Sequence, residues 1–253
     1  MRTKLRSAML AVLVSLSLAT AGCSTAATTK TVTVFAAASM KATFTKLAQT
    51  FEASHPGVKV TFNFAGAQTL AEQILQGAAA DVFTSADEAN MLPVTKAGLN
   101  AAEVKIYASN SLQIAVPPTN PAKIATFADL AKKNVKLVIC APAVPCGSAT
   151  VKVEQATGIT LKPVSEEQAV TDVLAKVVAG EADAGLVYKT NVIDAAGKVT
   201  GIDFPESAKA INRNTIVALK AGPQAALGQE FVDLVVSAEG QQVLAAAGFG
   251  PGQ

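Results

Sequence analysis

A short apolar run ends at a serine that opens a helical pattern, and this strand-turn-helix unit constrains the fold more than any other feature of the chain. The run from Val32 to Ala38 is rich in β-branched and small residues and is too short for a helix. After Ser39, apolar residues recur at helical spacing as far as Phe51. The unpaired N–H groups and the positive dipole end at such a helix start favour an anion. Ser39 could donate one more hydrogen bond, although an ordinary N-cap serine fits the same pattern.

The same unit recurs along the chain. A predicted strand at 58–64 leads through Gly66 and Ala67 into a helix, and a predicted strand at 135–140 leads into a helix that begins at 145–148. Further strands are predicted at 81–85, 112–116 and 185–188, and a further helix at 170–178. This alternation predicts an α/β fold with mainly parallel sheets flanked by helices. Ligands in such folds bind at the carboxyl ends of the strands.

The N-terminus has the pattern of a secretory signal peptide, which we assign to residues 1–22. Its three cations, Arg2, Lys4 and Arg6, precede an apolar run at 8–21 that is too short to span a bilayer. The exported chain is therefore expected to begin at Cys23.

The tripeptide Ala21-Gly22-Cys23 resembles the bacterial lipobox, in which the cysteine is lipidated, although Thr20 stands where that motif usually has leucine. We expect lipid on Cys23, a tether at 23–30, and a location on the outer face of the cell membrane. Cleavage followed by free secretion is the alternative.

The charge balance argues against a nucleic-acid partner. Without the three cations of the signal segment, 18 of the 21 Lys and Arg residues remain against 19 Asp and Glu residues, and they form no basic cluster with interleaved aromatic residues. Half of the residues are hydrophobic. About 225 exported residues suffice for one large domain or two small ones.

Cys140 and Cys146 would meet an oxidising compartment after export, and they bracket a loop that two prolines stiffen. We predict that they form a disulfide. A metal site is the weaker alternative, because two cysteines with no nearby histidine lack the usual ligand count. His55, the only histidine, precedes a Pro-Gly turn and is predicted at the surface. We therefore predict neither a metal-cation site nor a cofactor.

An ordered set of motifs resembles the molybdate-binding proteins of ABC importers, the ModA family. The set runs from about Thr31 to Phe249, and the paired cysteines are similar to those of actinobacterial members. Its motifs are Phe-Ala-Ala-Ala-Ser39, Phe64-Ala-Gly, Ala80-Asp-Val-Phe-Thr-Ser-Ala86, Val144-Pro-Cys-Gly147, Ala182-Asp-Ala-Gly-Leu-Val-Tyr188 and Gly240-Gln-Gln-Val-Leu.

The resemblance implies a type II periplasmic-binding fold, in which two α/β lobes close over a tetrahedral oxyanion. The first lobe would comprise 31–110 plus 216–253, and the second lobe 111–215. The protein would capture molybdate or tungstate as a monomer and deliver it to a membrane permease, without catalysing a reaction. The family's ligand positions fall on Ser39, Ala67, Cys146, Val170 and Tyr188.

One of these positions departs from the family, because Ala67 stands where many members have a second serine. Only its backbone N–H could bind the ligand, unless Gln68 or a water supplies the missing donor. The other groups are also donors, which suits the fully deprotonated molybdate, tungstate and sulfate ions. Asp81 and Asp87 flank Ser85 and are predicted to be turn or cap residues. Because Ala67 lacks the hydroxyl, the alternative ligand is sulfate, thiosulfate or another oxyanion.

Two other classes of function are the alternatives. A secreted serine hydrolase would use Ser39 as nucleophile and His55 as base, but a mostly helical segment would separate the two residues. The chain also lacks the Gly-x-Ser-x-Gly, Walker and paired-carboxylate motifs. The remaining alternative is a surface-interaction lipoprotein with a vestigial cleft.

Overall fold

The computed structural model describes residues 29–252. The predicted signal peptide, Cys23 and most of the predicted tether lie outside the described residues, so these assignments stay predictions. In the described part of the chain, no helix is long and apolar enough to cross a membrane.

The first of two sheets collects strands from both ends of the described chain. Its six strands are β1 (Lys30–Ala37), β2 (Val58–Ala65), β3 (Val82–Ser85), β4 (Lys105–Asn110), β10 (Asn212–Ala218) and β11 (Gly250–Pro251). Their order across the sheet is β11-β4-β10-β3-β1-β2.

The second sheet is built from the middle of the chain. Its five strands are β5 (Leu112–Val116), β6 (Leu137–Cys140), β7 (Ser165–Glu167), β8 (Ala184–Tyr188) and β9 (Thr200–Ile202). Their order across the sheet is β7-β6-β8-β5-β9.

Helices flank both sheets. Residues 29–252 form eight α-helices: α1 (Lys41–Ser54), α2 (Ala67–Leu75), α3 (Leu92–Lys96), α4 (Pro145–Thr157), α5 (Val170–Val178), α6 (Lys189–Asp194), α7 (Ala225–Val236) and α8 (Ala238–Ala246). The same residues form three short 3-10 helices, Ala38–Met40, Phe127–Ala131 and Pro205–Ala210. The predicted α/β layering is confirmed.

The sheets are mixed, whereas the sequence predicted mainly parallel ones. β1 is parallel to β2 and β3, and β6 is parallel to β7 and β8. β10 is antiparallel to β3 and β4, and β5 is antiparallel to β8 and β9. In the first sheet, the antiparallel pairs of β10 arise because the chain leaves this sheet after β4 and returns to it through β10, which runs in the opposite direction. Local patterns do not report such a return.

The face of α1 predicted from helical spacing is the buried face. Phe44, Leu47 and Phe51 are all buried, and the Phe44 ring lies 5.9 Å from the rings of both Tyr107 and Phe231. This packing holds the start of α1 against the first sheet, at the end of β1.

A glycine positions α5 against the second sheet. A Cβ on Gly185 in β8 would lie only 2.8 Å from Val173 Cγ1, so a larger residue would push the helix away. The close packing places Val170, the first residue of α5, near the end of β8.

The predicted division into lobes at 110/111 and 215/216 stays a prediction. β10 is a strand of the first sheet, but it begins at Asn212, within the segment 111–215 that was predicted for the second lobe.

Candidate functional site

The ends of four strands surround a small cavity. The structure places all five predicted ligand residues on its wall. The complete lining is Ala37, Ala38, Ser39, Ala65, Gly66, Ala67, Ala86, Val144, Pro145, Cys146, Val170 and Tyr188. The lining side chains include one hydroxyl and one phenol and no carboxylate.

Three helices begin at this cavity with free N–H groups. The first internal bonds of α2, α4 and α5 are donated by Leu70, Ser148 and Asp172, so the N–H groups before them have no acceptor within their helix. The three N-cap residues, Gly66, Val144 and Ala169, make no side-chain capping bond. The N–H groups of Ala67, Cys146 and Val170 are therefore available as donors.

Ser39 is not a conventional N-cap, so that alternative is wrong. It lies inside the 3-10 turn that joins β1 to α1, and the N-cap residues there are Ala37 and Met40. Its side chain is 3% exposed, and its Oγ has no hydrogen-bond partner in the described part of the chain. A buried hydroxyl without a partner costs about 1–3 kcal/mol. A ligand that accepts a hydrogen bond from Ser39 would remove this cost.

Tyr188 ends β8 and presents a phenol at the cavity. Its side chain is 1% exposed, and its Oη lies 2.8 Å from Asn212 Nδ2. Burial first, and then the negative charge of Asp87, raise the pKa of Tyr188 well above its usual value, while the Asn212 contact opposes the shift. The phenol is therefore neutral near pH 7 and retains its hydrogen.

The start of α4 is held in place by a covalent bond. Cys140, the last residue of β6, forms a disulfide with Cys146, the second residue of α4. The predicted pairing is thus present, and within residues 29–252 there is no group of three His, Cys, Asp or Glu residues that could hold a metal ion. Gly147 lets the start of α4 lie close to the end of β6, because a Cβ there would overlap the carbonyl group of Ala141.

Gln68 does not replace the hydroxyl that Ala67 lacks. Its side chain is absent from the cavity wall, and its Nε2 donates to the carbonyl oxygen of Gln168, 3.1 Å away, on the opposite side of the cavity. Gly66 makes this approach possible, because a Cβ there would overlap the same oxygen. Gln68 therefore joins the two sides of the cleft.

Asp87 is a turn residue, as the sequence predicted, whereas Asp81 is not a local turn or cap residue but joins distant segments of the chain. Asp81 accepts hydrogen bonds from the N–H groups of Thr33 (2.7 Å) and Gln224 (2.6 Å). Asp87 accepts from Ser85 Oγ and from the N–H of Asn90. Neither carboxylate lines the cavity.

His55 lies at the opposite end of α1 from Ser39, so the proposed hydrolase pair does not form. The fourteen residues of α1 separate the two by about 20 Å. The His55 ring stacks on Phe51, and its Nε2 lies 2.9 Å from a carboxylate oxygen of Glu230. The prediction that Ser39 and His55 could act as a nucleophile and base pair is therefore wrong.

Asn212 is not among the site residues that the sequence predicts. A single asparagine in a strand has no local signal, since its contacts with cavity residues come from distant parts of the chain.

Known proteins resemble this chain in sequence and in fold. The family described as bacterial extracellular solute-binding protein matches residues 32–250. The molybdate-binding protein ModA of Mycobacterium tuberculosis strain H37Rv is 50% identical over 220 residues, which cover 87% of this chain and 84% of that protein.

Two solved structures share the fold. The periplasmic molybdate-binding protein of Azotobacter vinelandii has a TM-score of 0.76 at 22% identity, covering 88% of this chain and 100% of that chain. The sulfate-binding protein SubI of M. tuberculosis H37Rv also has a TM-score of 0.76, at 18% identity, covering 88% of this chain and 87% of that chain. The two-lobed α/β fold is thereby confirmed. With half of its residues identical to those of a ModA protein, this chain belongs to the ModA family of bacterial extracellular solute-binding proteins.

Proposed function

We propose that this protein binds molybdate or tungstate outside the cytoplasm and delivers the ion to the membrane permease of an ABC importer. The oxyanion would accept hydrogen bonds from Ser39 Oγ, from Tyr188 Oη, and from the backbone N–H groups of Ala67, Cys146 and Val170. The observation that carries this proposal is the buried Ser39 hydroxyl, which lacks a partner in residues 29–252 and lies beside three uncapped helix starts.

The chemistry of the wall favours a fully deprotonated anion. Each lining group named above donates a hydrogen bond, and the wall has no carboxylate to accept one. Molybdate, tungstate and sulfate accept hydrogen bonds at all four oxygens. Phosphate near pH 7 retains a proton, which would be buried without an acceptor at a cost of several kcal/mol. Phosphate is therefore expected to bind poorly.

Binding is proposed to couple to closure of the two lobes, placed at 31–110 plus 216–253 and at 111–215. Ser39 and Ala67 would come from the first lobe, and Cys146, Val170 and Tyr188 from the second. An ion held from both sides binds best when the cleft is shut, so it shifts the protein toward the closed state. The Gln68–Gln168 contact across the cavity supports this view.

The anchoring is part of the same proposal. Lipid on Cys23, with 23–30 as a tether, would hold a monomeric protein at the outer face of the cell membrane, close to the permease. Free secretion after cleavage is the alternative.

Sulfate, thiosulfate or another oxyanion is the second candidate ligand. Ala67 is the reason for this candidate, because it lacks the hydroxyl that many ModA proteins have at this position. The likeness to a sulfate-binding protein at the same TM-score as the molybdate-binding one means that the fold alone does not choose between the ions.

Calorimetric titration of residues 30–253 with molybdate, tungstate, sulfate and phosphate at matched ionic strength tests the proposal. We expect one-to-one binding of molybdate and tungstate, with sulfate at least about 100-fold weaker, a difference of about 2.7 kcal/mol. Sulfate binding that equals molybdate binding would favour the second candidate, and no binding of any of the four ions would contradict both. Ala67→Ser is the matched variant. If the wild type does not distinguish molybdate from sulfate and Ala67→Ser does, the missing hydroxyl at position 67 is the cause.

A further inference from the structure

Asn212 contacts three residues of the cavity wall without lining the cavity itself. It begins β10, pairs with Asn110 in the first sheet, and is 4% exposed. Its side-chain Nδ2 lies 3.1 Å from the carbonyl oxygen of Ala86, 3.2 Å from that of Pro145 and 2.8 Å from Tyr188 Oη. These three oxygens come from both sides of the cavity. Ala86 follows β3 of the first sheet, whereas Pro145 begins α4 and Tyr188 ends β8 of the second sheet.

The two carbonyl groups determine which way the Asn212 amide points. A backbone carbonyl oxygen can only accept a hydrogen bond, so the amide must present its nitrogen to Ala86 and Pro145. If the amide were reversed, its own oxygen would face both carbonyl oxygens and the phenol. The two hydrogens of Nδ2 serve three oxygens, and the contact with Tyr188 Oη is the shortest of the three. Asn212 therefore donates one hydrogen toward Tyr188 Oη, and the two carbonyl oxygens share the other.

This orientation decides what the phenol of Tyr188 can do. A phenol oxygen that accepts from Asn212 keeps its single hydrogen for another acceptor. Within the described residues, Tyr188 Oη has one hydrogen-bond partner, Asn212 Nδ2. The hydrogen is thus left for an acceptor inside the cavity that Tyr188 lines.

The other tyrosine of the chain, Tyr107, shows the contrast. Its Oη lies 2.8 Å from Thr84 Oγ1 and 3.0 Å from Met40 Sδ, so its hydrogen has an acceptor within the protein. Tyr107 is buried in the core and does not line the cavity. Of the two tyrosines, only Tyr188 combines a side-chain N–H donor with an open cavity.

From these contacts we infer that Asn212 is a positioning residue for the bound oxyanion. It donates to Tyr188 Oη and thereby directs the phenolic hydrogen at the ligand, and it does so only while Ala86 and Pro145 are held together across the cleft. The inference rests on the proposed function, because it needs an acceptor in the cavity.

A double-mutant cycle tests the inference by titration with whichever of the four ions above the wild type binds most tightly. We expect Asn212→Ala to weaken binding about tenfold in the wild-type background but less than twofold when Tyr188→Phe has already removed the phenolic hydrogen. Asn110→Ala is the matched control. Asn110 is also a buried asparagine, and it donates to Thr190 Oγ1 at 2.9 Å without touching Tyr188. Its effect should be the same in both backgrounds.

The outcomes separate this inference from the proposed function. Equal losses from Asn212→Ala in both backgrounds, or no loss in the wild-type background, would overturn the inference while leaving anion binding intact. A wild type that binds none of the four ions would overturn both. If Asn212→Ala does not fold, Asn212→Ser takes its place in the cycle with the same expectations for binding. Serine should fold more readily, because its hydroxyl can still donate to a carbonyl group.

Discussion

The starts of α2, α4 and α5 at the cavity differ from the start of α8 away from it. Ser237, the N-cap residue of α8, accepts a hydrogen bond at its Oγ from the N–H of Gly240. At the cavity, the equivalent N-cap positions hold glycine, valine and alanine, none of which can accept with its side chain. The start of α8 is thus capped by its own chain, whereas the three helix starts at the cavity have N–H donors with no side-chain acceptor.

The largest effect is expected from making a cavity helix start resemble a capped one. Val144, the N-cap of α4, has the extended backbone that a capping residue adopts. In Val144→Asp, the carboxylate would accept from the N–H of Cys146 or Gly147 and would repel an anion. We expect titration to show molybdate binding weakened by at least about 100-fold, or about 2.7 kcal/mol.

Val144→Thr is the matched control for charge, because threonine has nearly the shape of valine and caps without a charge. It should weaken binding by only about three- to tenfold, while the ligand-free protein gains up to about 1 kcal/mol in its free energy of unfolding. Wild-type binding by Val144→Asp would contradict the assignment of α4 to the ligand site.

The two serines Ser39 and Ser237 should respond in opposite ways when replaced by alanine. Ser39→Ala removes a ligand donor, so binding should weaken about tenfold, or by about 1.4 kcal/mol. The ligand-free protein should be as stable as the wild type or more stable by about 1 kcal/mol, because a buried hydroxyl without a partner is lost.

Ser237→Ala removes the cap of α8 and should lower the free energy of unfolding by about 1 kcal/mol without changing affinity. Urea titration and calorimetry on both variants measure the two quantities. A less stable Ser39→Ala with unchanged affinity would show that Ser39 serves the fold.

Removal of the Cys140–Cys146 disulfide should have a smaller effect on affinity. With both cysteines replaced by serine, the backbone N–H of residue 146 remains but is less firmly positioned, so we expect a loss of no more than about tenfold. The free energy of unfolding should fall by up to about 2 kcal/mol, because the closed loop is short. Adding dithiothreitol should bring the wild type to the same values and leave the double variant unchanged. Weaker binding by the double variant after dithiothreitol would point to another cause.

The smallest effect is expected from raising the pH to 9. Burial raises the pKa of Tyr188 above its usual value, so the phenol should remain a donor, and molybdate affinity should be constant from pH 7 to pH 9. The folded state favours the neutral phenol. Its contribution to stability is therefore complete below pH 10, the usual pKa, and is lost as the pH rises further. A decline in affinity between pH 7 and pH 9 that is absent in Tyr188→Phe would contradict the raised pKa.

Local patterns in the sequence predicted the parts of this fold that depend on neighbours along the chain. The buried face of α1, the start of α4 at Pro145 and its end before Gly158 follow from helical spacing, a proline and a glycine with positive φ. The five predicted ligand residues lie on one cavity because the carboxyl ends of several strands meet there. Their ligand roles stay predictions.

Pairings between distant segments could not be predicted in this way. The sequence did not indicate β4, and it predicted mainly parallel sheets because local patterns do not report that the chain returns to the first sheet through β10. It left Gln68 open as a substitute donor, although Gln68 binds Gln168 one hundred residues away.

The sequence by itself determined the strand-turn-helix units, the uncapped helix starts and the family, because each depends on residue types at short, fixed spacing. Only the tertiary structure decided that Ser39 Oγ is buried without a partner in the described chain and that Asn212 reaches Tyr188. Burial and long-range hydrogen bonds depend on which distant surfaces pack together. That choice is made by the whole core, and no short segment records it.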